Sequence, residues 1–318
     1  MKKSLTIFTI GLSLLYAPIH LLAQESAASK IESNVIYGMH GGLALLMDVY
    51  YPKEPNGYGI MVIPGSGFHQ LMSYDATPLN DDPWYLANII GTDNLLKNGY
   101  TLFAINHRSA PVFRFPAAVE DAQRAVQFVR YNAERFKIDR KKIGAIGHSS
   151  GGHLVSMLGT MDDVGNPDGE NLINRESSKI QAVVALAGVF DLSEFATSGF
   201  GDIGAIASFV GTHHPAWRNT DTPRDFEYDL YAEASPITYI TADDAAFFLV
   251  HGNKDVVVSY EQAVSFAEKL KKNKVDANLI TIESGDHGFM TGTSGKVATE
   301  QYFNGIIELF DKHLQDKQ

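Results

Sequence analysis

Ser149 sits at the centre of Gly147-His148-Ser149-Ser150-Gly151, after an apolar run at 143–146 and before a segment that reads as the opening of a helix. A strand, a sharp turn and a helix would leave the serine at the apex in a strained backbone conformation. Side chains two positions away on either side would then collide with neighbouring chain, and glycine at 147 and 151 removes that clash. A serine hydroxyl is a poor nucleophile without a histidine base and a carboxylate to orient it. Asp255 and His287 supply both types, each just after a run that reads as a strand, 106 and then 32 residues further along. Reactive groups in open parallel sheets collect at the carboxyl ends of strands, so all three belong on one rim. Ser149 is expected to be the nucleophile, His287 the base and then the acid, and Asp255 the group that fixes the imidazole tautomer. Asp286 and Asp191 compete for the acid role, but Asp286 is adjacent to His287 and neighbouring side chains rarely face one another. Among the 11 histidines, His148 is expected to pack within the turn and contribute to substrate binding, and His251 to be structural.

A tetrahedral intermediate needs donors for its oxyanion. The loop Pro64-Gly65-Ser66-Gly67-Phe68 leaves another buried run at 59–63, and glycine there lets bare amides approach a ligand. Gly65, Ser66 and Gly67 are therefore candidate oxyanion donors, with Ser66 and Gly67 preferred, alongside the Ser150 amide. Phe68, Trp84 and His148 are candidate substrate contacts; Tyr74, Phe195, Phe200, Phe209 and Trp217 are further aromatics for a pocket wall. The acidic loop 162–170, DDVGNPDGE, does not place ligands at EF-hand spacing: aligned on Asp168-Gly169, Val164 and Arg175 fall at the first and last positions. No metal or cofactor is called for.

The elements that must carry these groups alternate. Strands are expected at 33–37 and 43–51 as a hairpin, then at 59–63, 100–105, 143–146, 183–186, 245–250 and 278–282. Helices are expected from Pro116 to about 135, across 152–161, from Ser259 to about 273 and across 298–314. This is an α/β pattern, a mostly parallel central sheet with helices on both faces. Residues 192–240 exceed any plain connection and read as a lid or pocket wall.

The chain has 318 residues, 45% of them hydrophobic, enough for one large domain over 30–314. Residues 1–24 carry Lys2 and Lys3, then an apolar run broken by Ser13, Pro18 and His20, the layout of a secretory signal peptide. Its removal predicts a secreted or periplasmic protein with no stable membrane insertion. Cysteine is absent, and the net charge of −11 becomes −13 once the two lysines are gone. Nucleic acid is thus excluded as a natural partner class.

The chain resembles the α/β-hydrolases of esterase/lipase type, whose triad follows the order Ser, Asp, His. It is most similar to bacterial acetyl xylan esterases and bifunctional acetyl/feruloyl esterases, relatives of the hormone-sensitive-lipase esterases. The likeness is carried by LLMDVYYP (45–52), IPGSGF (63–68), NHRSAP (106–111), GHSSGGHL (147–154), LVHGNKDVVV (249–258) and GDHGF (285–289). It implies a Ser149, Asp255, His287 triad, an oxyanion loop at 65–67 and a small or polysaccharide ester as substrate. Two departures stand out: Ser66 replaces the middle glycine of a His- or Pro-Gly-Gly-Gly loop, and NHR replaces NYR, leaving Arg108 and Asp121 with an ion pair as their simplest role. Rival readings are a prolyl-oligopeptidase-type serine peptidase, a broad small-ester esterase/lipase, and a binding protein on a hydrolase scaffold.

Overall fold

The computed structural model describes residues 27–69, 83–194, 203–211, 225–291 and 296–315. The expected signal segment 1–24 and Tyr74, Phe195, Phe200 and Trp217 lie outside the described residues. Eight strands form one sheet: β1 (Ala28–His40), β2 (Leu43–Pro52), β3 (Gly59–Ile63), β4 (Thr101–Ile105), β5 (Ile143–His148), β6 (Ala182–Leu186), β7 (Ala246–Gly252) and β8 (Ala277–Ile282). Their spatial order is β1-β2-β4-β3-β5-β6-β7-β8. Within this sheet the β1/β2 and β2/β4 pairs are antiparallel and every pair from β4 to β8 is parallel.

Alternation along the strands divides the core into two layers. In β3, Met61 and Ile63 face one layer and Ile60 and Val62 the other. The first layer receives helix Ala117–Tyr131 through Val119, Ala122, Val126 and Val129, and helix Tyr260–Lys272 through Ala263, Phe266, Ala267 and Leu270. These are the inward stripes that the 3.6-residue periodicity predicts. The opposite layer receives helix Phe303–Leu314 through Ile306, Leu309, Phe310 and Leu314.

The largest boundary differences from the sequence reading are three. Strand β1 is 13 residues rather than five because register shifts between Ala28 and Lys30, Glu32 and Val35, and Ile36 and Gly38 interrupt its alternation. Helix Ala117–Tyr131 stops early and resumes as the single turn Ala133–Phe136. The last helix begins at Phe303, after a separate turn at Thr299–Gln301. Within 192–240 lie helices Ile203–Val210 and Asp225–Glu233. In the acidic loop, Asp163 Oδ1 accepts from the amide of Gly165 within it and from that of Ser178 beyond it.

Arg108 and Asp121 form a buried ion pair. Asp121 Oδ2 accepts the Arg108 amide at 2.6 Å, its Oδ1 accepts Arg108 Nε at 2.9 Å, and the guanidinium also reaches Glu120. This clasp binds the loop leaving β4 to the N-terminal end of helix Ala117–Tyr131. The same loop supports the oxyanion segment, since the Ala110 amide donates to the Phe68 carbonyl at 3.0 Å. Removing one member of a buried pair strands the other. Asp121→Ala is therefore expected to cost about 3–5 kcal/mol in urea unfolding; a loss of about 1 kcal/mol or less, the size of an exposed pair, would show that the clasp does not hold the loop.

Candidate active site

Ser149 joins β5 to helix Ser150–Thr160 with φ 55° and ψ −122°. A Cβ on Gly147 would lie 2.3 Å from the Gly151 carbonyl oxygen, and one on Gly151 would lie 1.9 Å from that of Ile63. Neither position can carry a side chain while the turn keeps this shape. The serine backbone is pinned on both sides: its amide donates to Leu186 O at 2.8 Å, and its carbonyl accepts the His153 amide at 3.0 Å.

The three residues singled out from their spacing meet. His287 Nε2 is 3.0 Å from Ser149 Oγ, and His287 Nδ1 is 2.7 Å from Asp255 Oδ2. The second oxygen of Asp255 accepts the amides of Val257 and Val258 at 2.8 and 2.9 Å. Burial alone would raise the pKa of this carboxyl. Hydrogen bonds from His251 and His287, the adjacent imidazole charge and the Val258 amide outweigh it and hold the group well below its ordinary value. The rivals have local duties: Asp286 Oδ1 accepts the amides of Gly288 and Met290, and Asp191 Oδ1 that of Ser193.

His251 is closer to the chemistry than a purely structural reading implies. Its Nε2 lies 3.2 Å from Asp255 Oδ2 and 3.0 Å from the Val258 carbonyl. A carbonyl only accepts, so Nε2 carries the proton and donates toward both. The signal available in the sequence was the four-residue spacing from His251 to Asp255 across a strand end.

Two expected oxyanion donors are otherwise engaged. The Gly65 amide donates to the Tyr85 hydroxyl at 3.0 Å, and the Ser66 amide to Ser150 Oγ at 2.9 Å. What remains beside the serine is the Gly67 amide, on a residue with φ 61°, and the Ser150 amide, whose place in the first turn of its helix leaves it without an intrahelical acceptor. Phe68 is fully buried with φ 63°, stacked on Phe209 with ring centroids 3.9 Å apart. Its main part is to anchor the loop.

A pocket of about 370 Å³ opens over Ser149 and His287, walled by Phe68, Val189, Ala205, Ile206, Val257 and Val258. Trp84 is 50% exposed and outside the described lining; its neighbour Tyr85 lines the pocket instead. His148 also reaches the pocket, although burial and the nearby His287 push its pKa down to about 3, so it stays neutral. Among the described residues, no group of three or more His, Asp or Glu is placed to hold a metal ion, and no helix is long and apolar enough to cross a membrane.

The model of the BD-FAE family matches residues 47–270, a stretch that contains Ser149 and Asp255 and ends before His287. The chain belongs to the BD-FAE family. Its fold is that of the α/β-hydrolases. A truncated carbohydrate esterase from gut microbiota superposes with a TM-score of 0.69 at 27% identity, covering 91% of this chain and 97% of that one. Esterase LipC of Mycobacterium tuberculosis is 28% identical over 61% of this chain and 46% of its own length. The acetylxylan esterase of Xylanibacter ruminicola is 31% identical over 36% of this chain and 22% of its own length. This BD-FAE chain thus spans less than half of either of these curated relatives.

The depressed pKa of Asp255 has a measurable consequence. Between that value and the ordinary 3.8, the unfolded carboxyl binds a proton that the folded one refuses, so its stabilising contribution is present above about pH 4 and fades as pH falls. The stability difference between wild type and Asp255→Asn in urea should shrink from about pH 5 to about pH 3; a constant difference would mean that the carboxylate is not held by these donors.

Proposed function

We propose that the chain is a carboxylic ester hydrolase working through an acyl-serine intermediate. The observation that carries this reading is the continuous contact from Ser149 Oγ through His287 to a buried Asp255. His287 Nε2 takes the serine proton as Oγ attacks the ester carbonyl, and Asp255 stabilises the resulting imidazolium. The oxyanion develops against the amides of Gly67 and Ser150, where fixed donors favour the transition state over the ground state. His287 then protonates the leaving alcohol. Water, deprotonated by the same imidazole, releases the acid and restores the serine.

Acetyl or feruloyl esters on a xylan-type polysaccharide are the proposed substrates. The sequence resemblance supports this, as do the carbohydrate esterase and acetylxylan esterase among the similar proteins. The apolar wall of the pocket suits an acyl group, and Ala205 and Ile206 support reading 192–240 as part of that wall. An exported protein, with residues 1–24 as its signal, fits an extracellular polymer.

Ser149→Ala is expected to lower turnover of p-nitrophenyl acetate by about 10⁴-fold or more. Wild type should release acetate from acetylated xylan or ferulate from methyl ferulate, and leave a proline-containing amide intact. Cleavage of the amide would favour a peptidase; cleavage of p-nitrophenyl acetate alone would retain the ester chemistry and remove the polysaccharide.

A further inference from the structure

The pocket floor contains a chain of hydrogen bonds that the acyl-transfer mechanism does not use. The Gly65 amide donates to the Tyr85 hydroxyl at 3.0 Å, that hydroxyl lies 2.9 Å from His148 Nδ1, and His148 Nε2 lies 2.8 Å from the His287 carbonyl. Proton counting allows one arrangement. The His287 carbonyl can only accept, so His148 Nε2 bears the hydrogen and Nδ1 is bare. Tyr85 then donates to Nδ1, and its oxygen takes the Gly65 N–H. Every group in the series is satisfied in one sense of direction.

From this we infer that Tyr85 and His148 are positioning residues that lock the oxyanion loop and the loop of the catalytic histidine into register with the serine. His148 immediately precedes Ser149, so one imidazole ties three separate segments together: the serine turn, the loop at 65–67 and the loop at 286–289. Packing reinforces the tie. The His148 ring lies 4.9 Å from that of His287, 5.5 Å from that of Tyr85 and 5.8 Å from that of Phe289. Gly65 fits against it with no room to spare, since a Cβ there would meet the His148 carbonyl at 2.8 Å and Ser149 Cβ at 2.9 Å. Because burial keeps His148 neutral, the direction of the chain is fixed. Displacing either loop would separate His287 Nε2 from Ser149 Oγ or turn the Gly67 amide away, and small displacements at reacting atoms are costly in rate.

This inference rests on the ester hydrolase reading, and the experiment separates the two. Tyr85→Phe, His148→Leu, their double variant and His148→Gln are assayed with p-nitrophenyl acetate, with Ser149→Ala alongside. Rates are expressed per serine titrated by a fluorophosphonate, so that unfolded protein does not count. Tyr85→Phe and His148→Leu should each lower kcat about tenfold with KM changed less than about twofold. Because they break the same chain, the double variant should fall about as far as one single variant. His148→Gln, which keeps a donor for the His287 carbonyl, should recover most of the rate. The inference is overturned if Tyr85→Phe keeps wild-type kcat while Ser149→Ala is inactive, or if the two losses multiply to about 100-fold. Activity surviving in Ser149→Ala would instead overturn the ester hydrolase reading itself, and this inference with it.

Discussion

The site depends on one backbone constraint, the positive φ of Ser149 between β5 and the helix that follows. An L-residue pays of order 1–3 kcal/mol for such a conformation, and it persists only where the surroundings over-determine it. Here they do. The serine amide and carbonyl are both hydrogen-bonded, and Gly147 and Gly151 make contacts too close for any side chain. The turn lifts Oγ off the sheet, points the first amide of the helix at the same space and leaves His148 beneath, where it can reach two other loops. In the proposed mechanism, nucleophile, oxyanion donor and scaffold are three consecutive residues of a single bend.

Electrostatics completes what the bend begins. Asp255 accepts from His287 and the amides of Val257 and Val258, with His251 donating toward it as well, so the carboxylate is held ionised and in one orientation although its side chain is buried. A carboxylate so fixed selects the His287 tautomer with hydrogen on Nδ1, which leaves Nε2 bare for the serine proton. On the opposite side of His287, the neutral His148 donates to its backbone carbonyl. The His287 imidazole is therefore held at its ring by an anion, and the residue at its main chain by a neutral neighbour.

Much of this was legible in the sequence because the relevant signals are local. Ser149, Asp255 and His287 each follow an apolar run, and a parallel sheet turns that pattern into proximity whatever lies between. The inward stripes of the helices at 117–131 and 260–272 followed from periodicity for the same reason. Illegible were relations with no pattern in the chain. Tyr85 and His148 are 63 residues apart, and nothing around Tyr85 marks it, whereas the larger Trp84 beside it is half-exposed. The glycine-containing loop at 65–67 is visible in the chain, yet which of its amides stay available is decided by the hydroxyls of Tyr85 and Ser150. The full length of strand β1 is not visible in the sequence, because bulges erase alternation while keeping the ladder.

The central claim is that Ser149 is a nucleophile made reactive by His287. The most direct measurement is the rate and site of covalent labelling by a fluorophosphonate, with the adduct located by peptide mass spectrometry in wild type and in His287→Ala. A single adduct on Ser149, formed at least about 10³-fold more slowly when the imidazole is removed, is the result this account predicts. Labelling at another serine, or labelling of Ser149 at an unchanged rate without His287, would contradict it.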